Sequence, residues 1–409
     1  MLSLNLETRA KYMNHKRTPP HTRSNRRFSN NKRRPQQKKR QHGQYINPAK
    51  FVNKVAAPET QEAYAPTHTF ADFDVHETLK ANILAKKFTT PTPIQDQAIP
   101  HILEGKDVVG IANTGTGKTA AFLIPLINKV LTHKDEQVLI IAPTRELAIQ
   151  IEEELKNLAY NLRLFSVCAV GGAPIFKQIK QLQKPNQFII GTPGRIKDLV
   201  ERKKIHLNHF NTLVLDEADR MLDMGFVDDM RFIAQNMKDD RHTLFFSATM
   251  SKEIEKLINA FLTDPVHISV KTGDTAKNVE QDVVKVRKDN KTEALHDLLI
   301  QKDFTKVIVF AATKRMAENL ARDLTKRGFT AESIHGDKTH GQRQRALKKF
   351  KTNESQVLVA TDVAARGLDI DQVSHVINYD VPQTYDDYVH RIGRTGRGEN
   401  RGKALTFVH

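Results

Sequence analysis

The chain has 409 residues, 39% of them hydrophobic, and a net charge of +17, which suits two or three domains with ordinary apolar cores. Its one cysteine, Cys168, excludes an internal disulfide and fits a reducing compartment, and no apolar run is long enough for a membrane span or a secretory leader. The charge is uneven: residues 1–54 hold fifteen Lys and Arg against one acid, Glu7, leaving 49 basic and 46 acidic side chains for the rest.

Residues 1–66 are rich in Lys, Arg, Asn, Gln and His and show no helical or strand period, so a disordered basic tail is expected. The runs Lys32-Arg33-Arg34 and Lys38-Lys39-Arg40 suit phosphate backbones, and a solubilising arm or a targeting signal would have the same composition. From 67 to 270 short apolar runs alternate with amphipathic stretches. Strands are expected at Val108–Ala112, Val138–Ala142, Phe188–Ile190, Thr212–Leu215 and Thr243–Phe246. Between them, Glu146–Tyr160 places Leu147, Ile151, Leu155 and Leu158 on one helical face. Such alternation predicts an α/β, doubly wound parallel sheet. Residues 271–278 are polar and unpatterned and read as a linker. From 279 to 409 the alternation restarts, with strands at Val283–Val286, Val307–Phe310, Val357–Ala360, Val373–Asn378 and Ala404–Val408. Two sheets in tandem leave a cleft where a ligand is expected.

The chemistry-bearing residues fall around that cleft. Thr114-Gly115-Thr116-Gly117-Lys118-Thr119 follows an apolar strand and opens a helical pattern. Glycines there let backbone N–H groups approach phosphates, and a helix N-terminus adds a favourable dipole. Lys118 is placed to reach the terminal phosphates of a nucleoside triphosphate and Thr119 to ligate magnesium. Asp216-Glu217-Ala218-Asp219 ends the apolar run Thr212–Leu215, and ionised acids on a buried strand tip need a cation or a partner. Asp216 then suits the metal and Glu217 a water-orienting base. In the second half, Arg394 and Arg397 are three apart, so one helical turn would aim both guanidinium groups at a common anion. A solvated basic helix is the alternative for that pair.

This ordered set resembles the DEAD-box family of ATP-dependent RNA helicases over about residues 70–409. The resemblance implies two tandem RecA-like domains, ATP and Mg2+ as ligands, and RNA as partner. Phe88–Gln95 is similar to the family's adenine-reading segment, implying that Gln95 bonds the adenine edge and that Phe70 packs on the base. Pro143-Thr144-Arg145, Gly171-Gly172 and Thr192-Pro193-Gly194-Arg195 resemble segments that grip the RNA backbone, as do Gly336 and Arg343. Ser247-Ala248-Thr249 resembles the motif whose hydroxyls bond the acidic cluster, making Asp219 its partner. In Thr361–Asp369, Thr361 and Asp362 would face RNA, and Gly367 and Asp369 the γ-phosphate and ribose. His390 would meet the acidic cluster across the cleft. Asn113 and His340 stand where the family usually has glutamine.

The resulting expectation is an RNA-dependent ATPase that opens short RNA duplexes or displaces bound protein. Its core would be monomeric, cytoplasmic, free of membrane, and open to protein partners in an RNA–protein complex. An ATP-gated RNA clamp acting as a scaffold shares every one of these residues. A DNA translocase of the same superfamily is disfavoured by the Gln95 segment and by Ser247–Thr249.

Overall fold

The structure, a computed structural model, describes residues 51–52, 64–113, 115–270, 279–365, 370, 372–396 and 402–409. Most of the expected tail, the linker 271–278, and Thr114, Gly367, Asp369 and Arg397 lie outside the described residues.

Two helices open the first lobe, α1 (Glu77–Ala85) and α2 (Pro93–Leu103). Alternation follows with β1 (Val108–Ala112), α3 (Lys118–Thr132), β2 (Val138–Ile141), α4 (Arg145–Leu158), β3 (Ser166–Ala169), α5 (Ile175–Leu182) and β4 (Phe188–Gly191). It continues with α6 (Pro193–Glu201), β5 (Thr212–Leu215), α7 (Ala218–Asp223), α8 (Val227–Gln235), β6 (His242–Ser247), α9 (Lys252–Phe261) and β7 (Val266–Val270). The seven strands are parallel in the order β3-β4-β2-β5-β6-β1-β7. The inner strands are buried along their whole length, which is why they read as unbroken apolar runs. One face of the sheet is covered by a core that includes Ile99, Leu123 and Ile151, and the other by one that includes Ile196, Met221 and Ile258.

The second lobe runs β8 (Val279–Lys285), α10 (Lys291–Leu299), β9 (Val307–Phe310), α11 (Lys314–Lys326), β10 (Ala331–Ile334) and α12 (His340–Lys351). Then come β11 (Val357–Ala360), α13 (Asp362–Ala365), β12 (His375–Asn378), α14 (Tyr385–Ile392) and β13 (Gly402–Val408). Its six strands are parallel in the order β10-β11-β9-β12-β13-β8. Parallel strands share one carboxyl edge, so the loops after β1, β2, β3, β4, β5 and β6 gather on one side of the first lobe. That gathering positions the site.

The expected strand at Val283 starts earlier, at Val279, and the one expected from Val373 starts at His375. The tail expectation also needs correcting at two aromatics. Phe51 is fully buried in the second-lobe core, and the Tyr64 hydroxyl donates to Asp96 on α2. Composition averaged over a long polar segment hides single anchors of this kind. Among the described residues no helix is long and apolar enough to cross a membrane.

Candidate active site

The phosphate loop is built by backbone that only glycine accepts easily. Gly115 and Gly117 lie at φ 81° and 90°, and a Cβ on Gly117 would sit 2.4 Å from the Gln95 side-chain amide. Gln95 closes this contact by donating from Nε2 to the Gly117 carbonyl at 3.1 Å, while its Oε1 accepts from the Thr92 N–H at 2.9 Å. The segment read as an adenine reader is therefore bonded directly to the loop read as a phosphate cradle. Lys118 starts α3, is buried, and donates to the Ala112 carbonyl at 3.0 Å. Thr116 donates to the Asn113 carbonyl at 2.8 Å and pins the turn.

Asp96, one residue on, holds the stretch before α1. Its carboxylate accepts from the Thr67 N–H at 2.9 Å, the His68 N–H at 2.9 Å and the Tyr64 hydroxyl. Burial alone would raise its pKa, but the donors of Tyr64, Thr67 and His68 outweigh burial and hold it below the usual carboxylate range. Phe70 follows this clasp. Its ring lies beside Phe88 at 5.8 Å and edge-on to Phe73 at 5.9 Å, with 4% exposed.

The acidic cluster sits at the tip of β5. The Asp216 N–H continues the ladder to the Ile141 carbonyl at 3.0 Å, and its carboxylate accepts from the Glu217 N–H at 2.9 Å. Burial pushes the Asp216 carboxyl up to about 6, against the pull of the Lys118 ammonium. Glu217 caps α7 in left-handed backbone at φ 52° and ψ 50°. It is 5% exposed, and its Oε2 has no hydrogen-bond partner among the described residues. Asp219 accepts from the Ala248 N–H at 3.2 Å and the Thr249 hydroxyl at 3.4 Å. The Ser247 hydroxyl turns away and donates to the Thr249 carbonyl at 2.8 Å.

The loops after β2, β3 and β4 meet beside this cluster. Thr144 caps α4 by accepting from the Leu147 N–H at 3.2 Å. Arg145 lies over Gly171 and Gly172, so close that a Cβ on Gly172 would fall 2.0 Å from its guanidinium. Arg195 donates to the Gln178 side chain at 2.8 Å and to the Ala173 carbonyl at 3.4 Å. Two guanidinium groups thus flank the loop from Gly171, next to the helix start at Pro193. Such an arrangement suits phosphates and reads no base.

In the second lobe, Arg343 on α12 donates to Glu146 on α4 at 2.6 Å, with both side chains buried. Arg391 on α14 forks Asp362, with Nε at 2.6 Å and Nη2 at 2.8 Å, and also donates to Asn378 and to the Asp380 carbonyl. Arg394 follows the end of α14 and is 3% exposed. A small cavity between the lobes is lined by Arg220 from the first and by Asp362, His390, Arg391 and Arg394 from the second.

A family model described as DEAD/DEAH box helicase matches residues 92–257, and one described as Helicase conserved C-terminal domain matches residues 290–399. The ATP-dependent RNA helicase CshA of Listeria monocytogenes is 48% identical over 341 residues, covering 83% of this chain and 66% of that protein. The DEAD-box ATP-dependent RNA helicase CshA of Bacillus subtilis is 48% identical over 344 residues, covering 84% of this chain and 70% of that protein. The chain belongs to the DEAD-box RNA helicase family. It spans about two thirds of the length of these curated relatives. Among solved structures, S. cerevisiae Dbp5 bound to RNA and ADP BeF3 is 32% identical with a TM-score of 0.75, covering 83% of this chain and 89% of that one. Mss116p bound to ssRNA and AMP-PNP is 31% identical with a TM-score of 0.76, covering 83% of this chain and 75% of that one. The two parallel sheets are RecA-like lobes of this kind.

Within this DEAD-box frame the structure gathers Gln95, Gly115–Thr119, Asp216, Glu217 and Asp219 on one edge, with Thr144, Arg145, Gly171, Gly172 and Thr192–Arg195 beside them. Five of the expected site residues make contacts within the protein. Phe70, expected on the base, packs in the core against Phe88 and Phe73. Ser247 closes its own turn and leaves Asp219 to Thr249. Arg343, expected on RNA, pairs with Glu146, and Asp362, expected on RNA, pairs with Arg391. Arg394 lies in the turn past α14, its N–H bonded to the Arg391 carbonyl at 3.1 Å, and its expected partner Arg397 lies outside the described residues. Gly336 is exposed after β10 with the Lys314 side chain close by, and Thr361 starts α13 through its carbonyl. The residues missed from sequence are Asp96 and Glu146. Each is a buried acid beside a motif residue, and that adjacency was the available signal.

Proposed function

We propose that the chain hydrolyses ATP in a cycle coupled to RNA binding, and uses that cycle to open short RNA duplexes locally or to displace bound protein. Glu217 carries the reading: a buried carboxylate in left-handed backbone, next to Asp216, with one oxygen that has no hydrogen-bond partner among the described residues. That oxygen suits a water lined up for attack on a phosphate. Lys118 would exchange the Ala112 carbonyl for phosphate oxygens. Gln95 keeps one Nε2 hydrogen and one Oε1 lone pair for an adenine edge.

Magnesium fits the donors present. No group of three or more His, Cys, Asp and Glu among the described residues could hold a metal alone, and this ion ordinarily takes one or two protein oxygens with phosphates completing its shell. Thr119 and Asp216 would hold it, and it would neutralise charge on the transferring phosphate. Arg394 would bring a guanidinium from the second lobe, with Arg397, Gly367 and Asp369 assigned to the same lobe's nucleotide contacts by the family pattern. RNA would lie along Thr144, Arg145, Gly171, Gly172 and Thr192–Arg195, gripped by its backbone, with 2′-hydroxyls distinguishing it from DNA. The Dbp5 and Mss116p structures hold RNA and nucleotide together, which supports one cycle using both. The reading includes a cytoplasmic setting, in keeping with a single cysteine, which suits a reducing compartment.

ATP turnover measured with RNA and with DNA of the same sequence tests this. Stimulation by RNA alone is expected. Equal stimulation by both would remove the RNA assignment, and stimulation by neither would remove the coupled cycle.

A further inference from the structure

Phe51 lies outside both family-model matches, in a stretch of sequence that precedes the first lobe, yet it is a core residue of the second lobe. It is 0% exposed, and its ring sits 4.6 Å from that of Tyr388, centre to centre. Tyr388 is itself fully buried on α14 and donates its hydroxyl to the Gln281 side chain on β8 at 2.9 Å. Ile392, one turn further on, joins the same core. The helix between them carries His390 and Arg391 and delivers the chain to Arg394.

Two kinds of attachment hold the buried face of this helix. Arg391 ties it to Asp362, Asn378 and the Asp380 carbonyl, with its guanidinium over the Phe310 ring of the same core. Beside it, Tyr388 and Ile392 rest on apolar packing that Phe51 completes. The Arg391 bonds are directional and anchor one point of the helix, whereas its seating on the core depends on the rings beneath. A closely packed core transmits the loss of one ring as a shift of its neighbours.

We propose that Phe51 is a positioning residue for the hydrolytic reaction: it seats α14 so that Arg394 is presented to the cleft. This rests on the reading of Arg394 as the guanidinium that meets the phosphates. The same stretch of chain is clasped by Asp96 beside Gln95 from Tyr64 onward, so residues ahead of the first lobe touch both lobes next to their nucleotide-facing elements. A misplacement of about 1 Å in a reacting group costs about 10²-fold in rate. Phe51→Ala is accordingly expected to lower RNA-stimulated turnover by roughly 10- to 100-fold. ATP affinity stays within about two-fold, because the nucleotide-binding elements of the first lobe do not touch Phe51.

The test is a cycle in the full chain: wild type, Phe51→Ala, Arg394→Ala and the double variant, each measured for turnover, KM for ATP and melting temperature. Phe51→Leu, which keeps most of the apolar volume, is expected to restore most of the turnover and supplies the comparison if the alanine variant fails to fold. If Phe51 acts through the arginine, its substitution lowers turnover in the wild-type background and adds nothing in the Arg394→Ala background. Unchanged turnover in Phe51→Ala, or the same fold-loss in both backgrounds, would overturn the positioning role. Unchanged turnover in Arg394→Ala alone would instead strike the arginine assignment and the proposal with it.

Discussion

Glu217 is held in a conformation that costs a non-glycine residue about 1–3 kcal/mol, and it is held there while buried. Lys87 and Lys203 adopt a similar φ in exposed turns, so the conformation alone assigns no role; what sets Glu217 apart is that it is buried at the tip of β5. Glu217→Gln retains the shape and the strain but removes the base. Turnover is expected to fall by roughly 10²–10⁴-fold, with ATP and RNA affinities retained. Single-turnover phosphate release alongside equilibrium binding checks both halves, and near-normal turnover would return Glu217 to a capping role. At this scale the acids were legible because buried carboxylates on an apolar strand are anomalies in any sequence. The pairings were not. Whether Asp219 meets Ser247 or Thr249, or whether Arg343 meets RNA or Glu146, depends on distances between elements far apart in the chain. A motif names a residue and leaves its partner open.

Elements were legible where burial is symmetric. β9 and β11 coincide with their expected bounds because both faces are covered and every residue is apolar. No strand was expected at β3, β7 or β10, and all three are edge strands that break the continuous burial of the inner ones, with exposed or partly exposed residues among the buried. α14 ends at Ile392, with Gly393 as its C-cap, before the arginine pattern is complete. β12 carries a further consequence. His375 at its start stacks on Phe304 at 3.7 Å, and burial pushes its pKa down to about 4, against the pull of Asp303. The folded lobe keeps this imidazole neutral, while the unfolded chain takes up a proton near the ordinary value of about 6.5. Stability from this residue is therefore full above that value and is lost as pH falls from about 6.5 to about 4, on the order of 3 kcal/mol. His375→Phe keeps the stack and removes the titration. Urea unfolding across that window should show a shallower pH slope for the variant than for wild type; equal slopes would remove His375 as the cause.

At the scale of the whole molecule, the pair Arg343 and Glu146 joins residues 197 positions apart and one lobe to the other. A buried ion pair is weak evidence of stability, since desolvation offsets attraction. Between lobes the accounting differs, because both charges regain water when the lobes part. Removing one partner leaves the other buried only in the arrangement where the lobes meet, with Arg145 as a like charge near Arg343. Burial already pulls the Arg343 pKa down, opposed by Glu146, so the guanidinium without its carboxylate is the costlier orphan. Glu146→Gln should then disfavour the joined arrangement more than Arg343→Gln. Where ATP and RNA both favour that arrangement, each ligand tightens the other by the same factor, and the coupling is typically about 1–3 kcal/mol. Either single variant is expected to reduce this mutual tightening, by about ten-fold for Glu146→Gln. The double variant should lose no more than the worse single one, since residues that act as a pair are not additive. Titrating RNA with and without a non-hydrolysable ATP analogue measures the factor directly. Undiminished tightening in both single variants would show that the pair only fills space between the lobes, whereas additive losses would assign each side chain a separate task.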